Sequence, residues 1–114
     1  MPFYESICIL RSSLSDEEVT AILEKVKSTL ERNGATIAKA ENWGKKKLAY
    51  EIQHDRRGTY LFLQFEAEGM VVGQLERVYR LEDSVLKFLT IRVEEEEELL
   101  EVASGKAESS GGGV

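Results

Sequence analysis

Cysteine and histidine are almost missing from this sequence, and it has no long apolar run. The single cysteine, Cys8, excludes an internal disulfide and any multi-cysteine metal site. A metal-transfer module would need a C-x-x-C pair, so Cys8 reads as a buried, inert thiol. The single histidine, His54, stands alone in a polar stretch. Ser12, Ser13 and Ser15 have no base beside them and read as loop and cap residues rather than nucleophiles. Arg11-Ser12-Ser13-Leu14 contains no glycine with which to build a phosphate loop. No acid, base and nucleophile assemble, so neither enzymatic activity nor a cofactor is expected. No stretch approaches the ~20 apolar residues that cross a bilayer. Met1-Pro2-Phe3-Tyr4-Glu5 lacks the charged start and apolar core of a signal peptide. A cytoplasmic protein without a membrane partner is the expectation.

The charge is present but unevenly placed. The net charge is −6. Residues 94–114 carry seven acids and one base, which accounts for all of it, while residues 1–93 carry fourteen of each sign. Within that neutral part, Lys39 to Arg57 holds six bases against three acids. The Debye length at physiological salt is about 8 Å, so an acidic tail need not cancel a basic patch elsewhere.

Hydrophobic patterning divides residues 3–93 into six elements. Phe3 to Leu10 reads as a central strand, apolar on both faces. Ser15-Asp16-Glu17-Glu18 has the capping-box pattern. Val19, Ile22, Leu23, Val26 and Leu30 follow at helical spacing until Asn33-Gly34 stops the helix. Ala35 to Glu41 reads as a strand interrupted near Trp43-Gly44 and resumed from Lys46 to Ile52. Gln53 to Gly58 reads as a polar loop. Thr59 to Phe65 is a strand with Leu61, Leu63 and Phe65 on one side and Tyr60 and Phe62 on the other. A helix from Met70 to Tyr79 and a strand from Val85 to Val93 complete the pattern. The order β-α-β-β-α-β predicts an α+β, ferredoxin-like split βαβ fold, a four-stranded antiparallel sheet with two helices on one face. One domain over 1–93 is expected, then a disordered acidic, Gly/Ser-rich tail over 94–114.

Two helices cover one sheet face. Ile7, Ile9, Tyr60 and Phe62 would then form an apolar surface on the other, and such a surface marks a partner. The competing reading is that the ends of the sheet twist over and bury part of it. Lys45-Lys46-Lys47 raises a similar choice. Lysines guard edge strands against aggregation, but three in a row, joined by Arg56-Arg57 across a hairpin, favour the phosphates of RNA. Alternation sends Lys45 and Lys47 away from the Leu48, Tyr50 and Ile52 face and makes Lys46 snorkel past the core edge. Arg57 to Phe65 has a poor likeness to the third-strand motif of RNA recognition domains, with its aromatics out of register, so partner packing is preferred to base stacking on Tyr60 or Phe62.

Gly44-Lys45-Lys46-Lys47-Leu48-Ala49-Tyr50-Glu51-Ile52 resembles the signature of the bacterial small-subunit ribosomal protein six family, which runs Gly, any, basic, polar, Leu, Ala or Ser, Tyr, any, Ile. The resemblance covers most of residues 3–93. It includes Tyr4-Glu5, Asn33-Gly34, Gly58-Thr59-Tyr60 and Arg80-Leu81-Glu82-Asp83. The family often has proline where this sequence has Glu51. The resemblance implies the ferredoxin-like fold and a structural place in the small ribosomal subunit. It further implies binding to the central domain of small-subunit ribosomal RNA as a heterodimer with small-subunit protein eighteen, with no DNA partner. By motif position it makes Lys45, Lys46 and Lys47 RNA candidates; Arg56, Arg57 and Lys87 join them on charge and placement. The alternative is a non-ribosomal ferredoxin-like regulatory or ligand-binding module that oligomerises through its open sheet face.

Overall fold

Alternating apolar residues become the two faces of one antiparallel sheet in the computed structural model, which describes residues 1–93. The tail expected over 94–114 lies outside the described residues. The elements are β1 (Phe3–Arg11), α1 (Asp16–Arg32), β2 (Thr36–Ile52), β3 (Asp55–Glu66), α2 (Met70–Leu81) and β4 (Val85–Val93). The strand order β2-β3-β1-β4 puts β1 and β3 in the centre, as their two-sided apolar patterns predict. The fold is the ferredoxin-like β-α-β-β-α-β arrangement.

Both helices lie on one face. Val19, Ile22, Val26 and Leu30 of α1 and Val71, Leu75 and Tyr79 of α2 pack with Cys8, Leu10, Leu61, Leu63 and Phe65 of the sheet. The predicted capping box starts α1: the Glu18 amide donates to Ser15 Oγ at 3.1 Å and the Ser15 amide to Glu18 Oε1 at 2.8 Å. The Tyr79 hydroxyl is buried here and reaches Ser6 Oγ at 2.7 Å, which also accepts from Thr90 Oγ1 at 3.1 Å. Burial raises the pKa of the Cys8 thiol from 9.0 to about 12, with a smaller push from the Glu82 carboxylate. Cys8 is buried, as its strand position predicts.

The second face departs from the expectation of an open apolar surface. Phe62 is 0% exposed, and Ile7 and Ile9 are buried as well. The cover comes from the chain itself. Trp43 stacks on Phe62, with ring centroids 4.9 Å apart and planes 15° apart. Leu48 is buried in the same cluster as Ile7, Ile9 and Phe62. The twisted-over reading of the sheet therefore holds for these three residues, while Tyr60 stays half-buried. Further along the same face, Gln64 Nε2 donates to Glu5 Oε2 at 2.6 Å across β1 and β3, both side chains being buried.

Two boundaries also differ. β2 runs unbroken through Trp43-Gly44, because Gly44 takes a φ of +84° and absorbs a register shift there. The segment Gln53 to Gly58 is mostly strand. Ile52 pairs with Asp55, which leaves a two-residue turn at Gln53-His54 with positive φ at both positions, as in a type I′ hairpin.

Candidate nucleic-acid interface

The long strands β2 and β3 outrun the rest of the sheet. β1 ends its pairing with β3 at Arg11 opposite Gly58, so residues beyond Lys46 and before Gly58 form a two-stranded ribbon. Gly58 sits where the ribbon leaves the sheet. A side chain there would meet Ile9 Cγ2 at 2.5 Å and the Leu10 carbonyl oxygen at 3.1 Å. The absent side chain lets the ribbon bend close to β1. At the tip, Arg11 lies 3.8 Å from Asp55, and its Nη2 donates to Gln53 Oε1 at 3.4 Å. From the other edge of the sheet, Lys87 Nζ on β4 donates to Tyr50 Oη at 2.8 Å. The ammonium is 5.4 Å from the ring centroid, close to the sum of that hydrogen bond and the centroid-to-hydroxyl distance. It therefore sits at the ring's edge, and the contact is a hydrogen bond rather than a cation above a π-face.

Three of the six predicted cations, Lys47, Arg56 and Arg57, lie on this ribbon, and Lys45 and Lys46 stand at its base. Lys45, Lys46 and Lys47 pair with Thr59, Gly58 and Arg57, and Arg56 follows on the same strand. All five side chains are exposed. Register separates them as alternation predicts. Lys46 shares its side with Leu48 and holds its ammonium 5.9 Å from the Trp43 ring, while Lys45 and Lys47 alternate to the other side. Of the nearest acids in sequence, Glu41 Oε1 accepts from Trp43 Nε1 at 2.9 Å and Asp55 faces Arg11, while Glu51 is half-exposed beside the exposed His54. No ion pair joins Lys45, Lys46, Lys47, Arg56 or Arg57 to a described residue. Adjacent cations that pair with no described acid make a positive patch of the kind that attracts anions. The sixth cation, Lys87, is not brought to this cluster; it stands across the sheet at the Tyr50 contact.

Between the ribbon and β4 runs an apolar groove of about 280 Å³. Ile7 and Ile9 form its floor, with Leu48, Tyr50 and Ile52 from the ribbon and Leu89 from β4 among its walls. Tyr60 also lines it. Phe62, grouped with these residues in the sequence, is instead sealed beneath Trp43. Tyr50 is 61% exposed and Leu89 52% exposed, so the groove is lipped by apolar surface. Sequence patterning missed Trp43, Tyr50 and Leu89 as surface-forming residues. The available signal was the alternation of β4, which puts Leu89 on the same side as Lys87 and Ile91. Among the described residues no group of His, Cys, Asp and Glu is placed to hold a metal ion, and no helix is long and apolar enough to cross a membrane.

Known proteins are similar to this chain in sequence and fold. The model of the family described as Ribosomal protein S6 matches residues 3–92. The small ribosomal subunit protein bS6 of Brucella canis is 40% identical over 98 residues, which is 86% of this chain and 66% of that protein. The chain thus spans slightly less than two thirds of the length of that relative. The crystal structure of 30S ribosomal protein S6 from Thermotoga maritima superposes with a TM-score of 0.78 at 30% identity, covering 94% of this chain and 97% of that one. The C-terminal domain of the MgtC protein from Mycobacterium tuberculosis, at 15% identity and a TM-score of 0.57, shares the fold alone. The signature on β2, the sheet order and these matches over most of the chain agree: this protein belongs to the ribosomal protein S6 family, whose members are structural and non-enzymatic.

Proposed function

We propose that this chain is a structural component of the cytoplasmic small ribosomal subunit, where it binds the central domain of small-subunit ribosomal RNA together with small-subunit protein eighteen. The observation that carries the RNA part is the ribbon. Five exposed cations, Lys45, Lys46, Lys47, Arg56 and Arg57, have no ion pair with a described residue, while Glu41 and Asp55 are taken up by Trp43 and Arg11. They position the RNA backbone without reading its sequence. Lys87 offers a more distant contact from β4. The apolar groove beside the ribbon supports the protein part, because its occupant would lie next to the same RNA. Ile7, Ile9 and Tyr60 serve there as floor and wall, and Phe62 acts only through Trp43. An oligomerising regulatory module would use the groove equally well, but it gives the cationic ribbon no task.

Salt dependence tests this reading. Replacing Lys45, Lys46 and Lys47 together by alanine should weaken binding to the central-domain RNA. It should also reduce the slope of log affinity against log salt, by roughly 0.9 for each duplex phosphate no longer neutralised and about 0.7 for each single-stranded one. All three side chains are exposed, so the melting temperature should hardly move. An unchanged slope would overturn the phosphate assignment.

A further inference from the structure

On the sheet face away from the helices, Trp43 stacks on Phe62. Phe62 fills the inner face at 4.9 Å and 15°. The ring is half-buried, so part of it remains in solvent, where the Lys46 ammonium stands 5.9 Å from its centroid. The indole is also held in orientation: its Nε1 donates to Glu41 Oε1 at 2.9 Å, which places that carboxylate at the ring's edge. Gly44, immediately after it, fixes the backbone with a φ of +84° and donates its amide to Asn42 Oδ1 at 2.7 Å. An indole oriented by its hydrogen bond to Glu41 and backed by a buried phenyl ring, beside three lysines that make no ion pair with a described residue, has the parts of a single-strand binding platform: a π-face for a base and cations for its phosphates.

We propose that Trp43 is a stacking platform for one unpaired nucleobase, with Lys46 moving from the indole face to a flanking phosphate as the base arrives. The inference rests on the RNA-binding reading and deepens it, adding base contact to a surface otherwise limited to the backbone. Phe62, the aromatic first suggested by the strand pattern, cannot take this role because Trp43 covers it. Its part is to support the platform from beneath.

Trp43 is the chain's single tryptophan, so the wild-type protein reports on the site directly. A short single-stranded oligoadenylate should quench its fluorescence as it binds, and an abasic oligomer of equal length should bind without doing so. Trp43→Leu keeps an apolar cover over Phe62 but removes the π-face. It should bind the oligoadenylate on the order of tenfold more weakly with an unchanged salt slope, because stacking releases no counterions. Trp43→Phe should recover most of the affinity. If both oligomers bind with the normal salt slope and neither the fluorescence nor the Trp43→Leu affinity changes, the stacking proposal falls while the phosphate reading stands. If neither oligomer binds and no salt dependence is found, the RNA reading fails first and the platform with it. A fluorescence change produced only by a protein partner would make Trp43 a protein contact and overturn the proposal.

Discussion

Gly58 shows how one missing methyl group sets the course of a surface arm. Its position is hemmed by Ile9 Cγ2, the Leu10 carbonyl oxygen and Leu48 Cδ2 at 2.5, 3.1 and 3.4 Å from where a Cβ would stand. The carbonyl is backbone and Ile9 is stiff at its first torsion, so the neighbours cannot yield freely. Gly58→Ala should destabilise the protein by about 1–3 kcal/mol in denaturant unfolding. Ile9→Leu removes the closest methyl, so the double variant should regain part of that stability; failure to regain any would mean that the backbone contact dominates. Cys8 makes a second residue-scale prediction. Its folded pKa is raised from 9.0 to about 12, so its contribution to stability is complete below pH 9 and is lost as pH rises toward 12. Over that interval stability should fall by up to about 1.4 kcal/mol per pH unit. Tyr79, also pushed upward by burial, should add to the decline above its ordinary value of 10.0. Melting Cys8→Ala across pH 8 to 11 should show a shallower decline than wild type, whatever the offset between the two curves.

At the scale of elements, the hairpin is where patterning and structure part. Gln53 and His54 hold φ values of 49° and 72°, positions that asparagine and glycine fill at less cost. Replacing the pair by Asn-Gly should stabilise the protein by about 1 kcal/mol, raising the urea midpoint without altering its slope. The change sacrifices the His54 contact to Glu51, but His54 is almost fully exposed there, so that contact is worth little. The same two residues explain why the turn was not legible. A type I′ hairpin announces itself through Asn-Gly, and here a polar Gln-His pair followed by Asp55-Arg56-Arg57 looks like loop. By contrast α1 was legible from end to end, since Ser15, Glu18, the apolar stripe and Gly34 all obey local rules. The lysine run was legible for the same reason, its charges being adjacent in sequence. The groove was not, because it depends on a bent ribbon that brings Tyr50 to Lys87, residues far apart along the chain.

At the scale of the molecule, one sheet separates two kinds of work. The helix side supplies the larger core, built from α1, α2 and the sheet residues between them. The other side holds a smaller core beneath the ribbon, with cations on the ribbon and an apolar groove beside it. On that second side the groove and the cation cluster are built from different residues, so the proposed protein contact and the proposed RNA contact should be separable by mutation. Leu89 stands on the β4 wall of the groove, 52% exposed and away from the cation cluster. Leu89→Glu places a charge that an apolar occupant could neither solvate nor pair, at a site where the free protein keeps the carboxylate in water. The variant should therefore melt within a few degrees of wild type, because surface substitutions seldom exceed about 0.5 kcal/mol. Its association with small-subunit protein eighteen, measured by calorimetry, should weaken at least on the order of tenfold. The salt slope of RNA binding by the chain alone should stay where it was, since every cation of the ribbon is kept. Undiminished association would move the protein partner off this groove, and a reduced slope would show that the groove and the ribbon bind RNA as one surface.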